Sequence, residues 1–154
     1  MVFRSVNAVL AHPMMIDLSL NHLQIGFITS TFVLAFAIFQ IPLGLIVDSW
    51  GARKTQVALF VIAAIAIVLF GLSSSVLNLS ITRALLGIGM AGSFICAVKA
   101  ITDRVEPDKI PYYTGIILAF GGVGALLATT PAKIFQLDFG WRTLCIALGV
   151  LTFL

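Results

Sequence analysis

The chain has 154 residues, of which 60% are hydrophobic and only 10% are charged, and its mean hydropathy is +1.14. Soluble globular domains carry about a quarter charged residues, so this chain has too few charges to cover a water-facing surface. That excludes a soluble domain and makes the lipid bilayer the expected solvent of most side chains. The formal net charge of +3 is small and the basic residues do not cluster with aromatic ones, so nucleic acid is not an expected partner.

Residues 1–16 are moderately apolar and contain a single charge, Arg4, which is followed by the polar residues Ser5 and Asn7. A secretory signal would show an uninterrupted apolar stretch after its positive start. We therefore interpret this segment as the end of a helix whose beginning is absent.

Four segments of membrane-crossing length follow, since about 20 apolar residues suffice to cross a bilayer. Because their apolar runs are continuous rather than alternating, strands are excluded as spanning elements. The sequence therefore predicts an all-α transmembrane helix bundle that forms a single membrane domain over residues 1–154. Its predicted elements are a partial helix at 1–16, spans at 25–47, 57–72, 79–101 and 113–132, and a partial helix at 143–154 after a loop at 133–142.

The distribution of basic residues predicts the orientation of the bundle. Five basic residues lie in or beside the loops at 48–55 and 102–111, against three on the opposite side. Since Lys and Arg are enriched in cytoplasmic loops, we expect both loops to be cytoplasmic.

The first of these loops has charges where helix dipoles disfavour them. Asp48 lies near the C-terminal end of its predicted span, and Arg53 and Lys54 lie at the start of the next. Such charges are tolerated if they contact one another or another helix end, and Gly44 would let a second backbone approach closely. The alternative is that Asp48 is solvated and the basic pair merely follows the positive-inside bias.

This loop resembles the signature loop between helices 2 and 3 of the major facilitator superfamily. A basic residue often follows the aspartate in that family, whereas this chain has Ser49. The resemblance implies that the loop gates the transporter by latching its two halves together in one state. The residues that match are Gly44, Asp48, Gly51, Arg53 and Lys54.

Asp103 lies at the end of the third predicted span. In the family an acidic residue at this end joins the signature loop, which implies that Asp103 is the partner of Arg53 in the gate. A solvated Asp103 is the alternative.

Arg83, followed four and six residues later by glycine, is similar to the helix 4 motif of the same family. Arg83 either extends to the membrane interface or is buried and marks a path for solute or protons. The fourth span resembles the glycine-rich helix 5 of the family. The glycines expected in helix packing are Gly87, Gly89, Gly92, Gly121, Gly122 and Gly124.

The N-terminal segment resembles the latter half of helix 1 in the branch that moves nitrate, cyanate and small organic anions. The resemblance implies that Arg4 faces a central cavity with Asn7 on the same face, although a surface position of Arg4 is the alternative. Gln40 either lines that cavity or packs against a neighbouring polar group. The candidate solute-binding residues are therefore Arg4, Asn7, Gln40 and Arg83.

Taken together, the resemblance implies a secondary active transporter of a small anion, present as an incomplete N-terminal six-helix half in a bacterial cytoplasmic membrane. Symport with a coupling ion, a proton or sodium, is left undecided. Transport would require the missing C-terminal half or another membrane subunit. The alternative is a scaffold or regulatory subunit that pairs with another transporter. No metal-ligand cluster, nucleotide-binding loop or nucleophile–base pair is found, so we expect no catalytic residue, no metal and no cofactor.

Overall fold

The computed structural model describes the backbone of residues 15 and 17–153, and the side chains of these residues except 127–141, 144, 151 and 153. Within this part the chain is helical and contains no strand. Three of its helices are long and apolar enough to cross a membrane. The all-α membrane bundle is thereby confirmed, while the six-helix half stays a prediction. The helices are α1 (His22–Trp50), α2 (Ala52–Leu72), α3 (Val76–Thr102), a short 3-10 helix (Pro107–Lys109) and α4 (Ile110–Phe153).

Helix α1 begins where the sequence supplies side-chain caps. Asn21 accepts a hydrogen bond from the Gln24 backbone N–H at 2.8 Å, and the Asn21 N–H donates to Gln24 Oε1 at 2.9 Å. This reciprocal pair satisfies two backbone donors that have no partner within the helix. The polar residues before the predicted span at 25–47 therefore start the helix.

A single residue, Gly51, separates α1 from α2. Its φ of +83° is a conformation that L side chains rarely adopt. Its N–H donates to Val47 O at 3.0 Å, and its carbonyl accepts from the N–H and the hydroxyl of Thr55. The chain therefore reverses within one residue, and we call this end of the bundle the Gly51 end.

Helix α3 lies between α1 and α2. It runs in the same direction as α1, because Gly87 lies against Phe32 whereas Lys99, further along α3, reaches Asp48 near the end of α1. The loop that follows α3 therefore lies at the Gly51 end as well. The two loops predicted to be cytoplasmic are thus on one side of the bundle.

Helix α2 runs antiparallel to α3 and packs closely against it. Arg83 of α3 lies on Phe70, and Gly89 lies against Ala63. A Cβ atom at Gly89 would lie only 2.6 Å from the Ala63 backbone nitrogen, so a larger residue would force the helices apart.

Helix α4 differs from the prediction, because it continues through the segment 133–142 that was predicted to be a loop. That loop was inferred from its charges, and charge governs depth in a membrane rather than backbone conformation. The 44 residues of α4 would span about 66 Å if the helix were straight, which is roughly twice the thickness of the hydrocarbon layer. The division into membrane segments at 113–132 and 143–154 stays a prediction.

The described parts of α4 contact different faces of the bundle. Gly121 lies beside the middle of α1 and α3, whereas Cys145 lies against Gly71 and Gly149 against Val68 of α2. The end of α4 therefore runs antiparallel to α2.

Candidate functional site

One lysine at the Gly51 end contacts two carboxylates on two helices. Lys99 Nζ lies 3.2 Å from Asp48 Oδ1 of α1 and 3.6 Å from Asp103 Oδ1 at the end of α3. We call Lys99, Asp48 and Asp103 the Lys99 bridge. It lies at the surface of the bundle, since the exposed fractions of the Lys99 and Asp48 side chains are 38% and 69%.

The bridge lies where two helix C-termini meet. Asp48 is two residues from the end of α1, and Asp103 caps α3. A helix C-terminus carries partial negative charge, so it disfavours both carboxylates and favours Lys99, which lies in the last turn of α3. The positive charge of Lys99 therefore offsets the negative charge of two carboxylates and the partial negative charge of two helix C-termini.

The prediction that Asp103 pairs with Arg53 was wrong. Arg53, the expected partner, is exposed and forms no ion pair with any residue that the structure describes. Asp103 instead contacts Lys99, because residues four apart lie on the same face of a helix. Lys99 is one of the five basic residues from which the orientation of the bundle was predicted. The four-residue spacing was visible in the sequence, whereas the contact with Asp48 was not.

Among the other matched residues, Gly51 makes the turn between α1 and α2, and Lys54 is exposed. Gly44 was expected to allow a close backbone approach. A Cβ atom placed there would meet nothing within 4 Å, so the described part of the bundle does not use Gly44 for close packing.

Arg83 is the most deeply buried charged residue that the structure describes, with 2% of its surface exposed. It lies seven residues into α3, about 10 Å from the helix start, and its Cζ lies 4.2 Å from the centre of the Phe70 ring. This arrangement is a cation–π contact. Because Arg83 is enclosed by protein, it does not extend to the membrane surface.

The guanidinium of Arg83 is incompletely paired. Its Nε and Nη2 atoms have no hydrogen-bond partner in the described part of the chain. A buried donor without an acceptor costs free energy, and an uncompensated charge costs more. The site is therefore suited to an anion or another acceptor.

A separate cavity of about 440 Å³ lies between α1, α3 and the first part of α4. Ser93 is the one polar side chain among its described lining residues, and Arg83 is not among them. Volumes of this order are typical of small-molecule sites. The lining residues are Phe32, Val33, Phe36, Ala37, Met90, Ala91, Ser93, Phe94, Ile117, Leu118 and Gly121.

Gln40 packs against the backbone rather than lining this cavity. Its Nε2 donates to the carbonyl oxygen of Ala91 at 3.4 Å, which corresponds to the packing alternative. The other two candidate solute-binding residues, Arg4 and Asn7, lie outside the described residues.

The glycines of α3 lie at helix contacts, but those of α4 do not share one role. Gly87 lies against the Phe32 backbone and Gly92 against the Leu59 side chain. In α4, Gly121 lines the cavity, Gly122 has open space around it and Gly124 is half-buried.

A second ion pair between residues distant in the chain lies at the end opposite to Gly51. Arg142 Nη2 of α4 lies 3.4 Å from Asp17 Oδ2, which precedes α1. The two residues are 125 positions apart, so no local sequence signal indicated this contact.

Comparisons with known proteins bear on the whole chain. The family model of the Major Facilitator Superfamily matches residues 1–154. A probable sulfoacetate transporter, SauU of Cupriavidus necator, is 31% identical over 96% of this chain and 34% of its own length. A probable L-galactonate transporter of Escherichia coli is 27% identical over 88% of the chain and 30% of its own length. The nitrate/nitrite transporter NrtP of a Picosynechococcus species is 27% identical over 77% of the chain and 22% of its own length.

The chain thus spans between 22% and 34% of the length of these relatives. The match of the family model nevertheless covers every residue. The three long apolar helices of the chain agree with the match to this family. The chain belongs to the Major Facilitator Superfamily, a family of membrane transport proteins rather than enzymes.

Proposed function

We propose that this chain is part of a secondary transporter that moves a small anionic solute by alternating access. The family and the three apolar helices support a membrane transporter. The solute class is supported by relatives that are named for sulfoacetate, galactonate and nitrate or nitrite. The same proposal places the protein in a bacterial cytoplasmic membrane, couples transport to an ion and pairs this chain with a further helical half.

The observation that carries the anionic class is the unpaired guanidinium of Arg83. No described carboxylate forms an ion pair with it, and two of its nitrogen atoms have no acceptor. Charged residues within a membrane bundle are costly and generally serve a pathway for ions or solutes. A solute carboxylate, sulfonate or nitrate would supply both the negative charge and the missing acceptors.

The proposal requires a second arrangement of the helices. Arg83 is covered by Phe70 of α2, lies near Cys145 of α4 and is not among the residues that line the cavity, so a solute in the cavity does not reach it directly. In alternating access, helices rearrange around a fixed binding region. We propose that such a movement uncovers Arg83, and that Arg4 and Asn7 contribute to the same binding region.

The Gly51 end is the proposed gate of this transporter. Asp48 and Asp103 lie there together with Arg53 and Lys54. Interhelical contacts at such an end must break when the helices separate, so they bias the equilibrium between the two states.

Uptake measurements test this proposal in the full-length protein that contains this sequence, reconstituted in liposomes. Radiolabelled sulfoacetate, galactonate and nitrate are offered separately. We expect uptake of at least one of them, and a loss of about tenfold or more in Arg83→Gln, because a buried charged contact is worth several kcal/mol. Arg83→Lys is expected to retain part of the activity, since it keeps the charge but not the forked geometry.

The matched control is Arg104→Gln, which removes a guanidinium from the exposed loop after α3. Its uptake is expected to stay near that of the unaltered protein. Normal anion uptake in Arg83→Gln would remove the proposed role of Arg83. Uptake of none of the anions by the unaltered protein would contradict the proposed solute class.

A further inference from the structure

Arg83 shares its face of α3 with two buried leucines. Leu79 lies four residues before it and Leu86 three residues after it, which places the three side chains on one side of the helix. Both leucines belong to the buried cluster that also contains Phe70 of α2 and Cys145 of α4. The Arg83 side chain is therefore directed towards α2 and the end of α4.

Cys145 lies beside the aromatic ring that Arg83 contacts. The guanidinium Cζ is 4.2 Å from the Phe70 ring centre, and a Cβ atom at the next residue, Gly71, would lie 3.0 Å from the Cys145 Cβ. Cys145 is a free thiol with no exposed surface, and it is close enough to Arg83 for the two groups to interact electrostatically. We call Arg83, Phe70 and Cys145 the Arg83 pocket.

The Arg83 atoms that have no acceptor among the described residues lie on one edge of the guanidinium. The Phe70 ring covers a face of this planar group, whereas the N–H bonds of Nε and Nη2 point outward from the same edge. Two such N–H groups side by side match the spacing of two oxygen atoms in a carboxylate, sulfonate or nitrate. An anion bound at this edge would leave the contact with Phe70 in place.

We infer that the end of α4 forms a wall of the anion site at Arg83 and that Cys145 contacts the anion bound there. The inference rests on the proposed transport function and deepens it, because it adds a third helix and a thiol to a site otherwise formed by α2 and α3. The ligand class is a small carboxylate, sulfonate or nitrate.

A thiol is suited to this position. It is small, carries no charge as S–H and can donate a weak hydrogen bond to an anion. A carboxylate in its place would pair with Arg83 and compete with the solute. The uncharged wall therefore leaves the guanidinium to the solute.

The Arg83 pocket lies near the end of the bundle opposite to Gly51. Arg142, which pairs with Asp17 at that end, is three residues before Cys145, a distance of about 4.5 Å along the helix. The 440 Å³ cavity is separate, since its described lining residues include neither Arg83 nor Cys145. We therefore expect an anion to enter the pocket from the end opposite to Gly51.

Thiol labelling of the full-length protein that contains this sequence, reconstituted in liposomes, tests the inference. Two methanethiosulfonates of similar size are used, one ending in a sulfonate and the other in a trimethylammonium group. When the helices move and uncover the pocket, the Cys145 sulfur forms a disulfide bond with the reagent, methanesulfinate leaves, and the thiol proton passes to water. The peptide that contains Cys145 is quantified by mass spectrometry, and each rate is divided by the rate of the same reagent with a free thiol in solution.

We expect the normalised labelling rate of Cys145 to be at least about tenfold higher for the sulfonate reagent, because a nearby guanidinium attracts it. Arg83→Gln is expected to remove this preference, and Arg83→Lys to retain most of it, since lysine keeps the charge. The matched control is Arg104→Gln, which removes a guanidinium from the exposed loop after α3 and is expected to leave the preference unchanged. Cys96, which lies in a separate buried cluster, is expected to show no such preference.

Protection by the solute gives a second measurement. An anion that the protein transports, at saturating concentration, is expected to slow the labelling of Cys145 at least about fivefold, because it occupies the same pocket. Equal normalised rates for the two reagents, no labelling of Cys145 by either reagent, or labelling that a transported anion does not slow would overturn the inference.

Labelling and uptake fail separately. If uptake depends on Arg83 but Cys145 shows no preference for the sulfonate reagent, the inference is wrong and the proposed function stands. If none of the offered anions is taken up while the preference is present and depends on Arg83, the pocket stands and the proposed transport of those solutes is wrong.

Discussion

Helix α3 carries two basic residues whose surroundings are opposite. Lys99 lies at the Gly51 end, is partly exposed and contacts two carboxylates. Arg83, sixteen residues earlier, is 2% exposed and has two nitrogen atoms without an acceptor. The partly exposed charge of Lys99 is paired within the protein. The buried charge of Arg83, which is costly in free energy, has no carboxylate partner among the described residues.

Lys99 and Arg83 represent two uses of a cation in a membrane helix. A paired cation at the border adjusts contacts between helices, and its effect is limited by screening. An unpaired cation in the interior lowers stability and is retained where it binds a ligand or another group in some state. The two residues are therefore expected to respond in opposite ways to substitution.

The largest effect is expected from replacing Arg83 with an apolar residue. Arg83→Leu removes the unpaired nitrogen atoms and keeps an apolar contact with Phe70. Replacement of a buried, poorly paired charge by an apolar group is often neutral or stabilising. We expect the midpoint of thermal unfolding in detergent to be unchanged or higher, while anion uptake falls about tenfold or more.

A marked decrease in the unfolding midpoint of Arg83→Leu would contradict this contrast. It would indicate that the cation–π contact with Phe70 stabilises the bundle more than burial of the guanidinium destabilises it. Uptake and unfolding measured on one preparation distinguish the two outcomes.

An intermediate effect is expected from the turn that positions the Lys99 bridge. Gly51→Ala would place a side chain at a φ of +83° and a ψ of 150°, a region populated essentially by glycine, at a cost of about 1–3 kcal/mol in the free energy of unfolding. Gly44→Ala is the matched control, because a Cβ atom there meets nothing within 4 Å and alanine favours helix. Equal unfolding midpoints for the two variants would show that the turn does not need glycine.

The smallest effect is expected from separating the two contacts of Lys99. Asp48→Asn breaks the interhelical contact, and Asp103→Asn breaks only the contact within α3. We expect a small loss of thermal stability in Asp48→Asn, weaker at high salt, and a smaller change in Asp103→Asn. A larger loss in Asp103→Asn would indicate that the contact within α3 is the important one.

Part of the bundle was predictable from local sequence. The uncharged run at 25–47 lies within α1, and the predicted spans at 57–72 and 79–101 lie within α2 and α3. Backbone groups in lipid must be satisfied within their own segment, so hydropathy and length indicate such helices without tertiary information. The segment 133–142 shows the limit, because its charges predicted a loop where the backbone is helical.

The candidate site was less predictable than the helices. The resemblance of the loop implied gating roles for Asp48 and Arg53. In the structure Asp48 contacts Lys99, and Arg53 has no ion pair in the described bundle. Gln40 was placed equally in the cavity or against a polar neighbour, and its contact with Ala91 corresponds to the second arrangement. Such contacts depend on the rotation and register of one helix against another.

The amino-acid sequence by itself determined that the chain is helical, belongs in a membrane and turns within residues 48–55, because each of these properties depends on residues close together in the chain. Only the tertiary structure decided that Lys99 joins α1 to α3, that Asp17 meets Arg142 and that Arg83 lies against Phe70. Those contacts join residues from different parts of the bundle, so they depend on how the helices pack. Where α3 meets α1 and α2, its glycines allow the helices to approach closely.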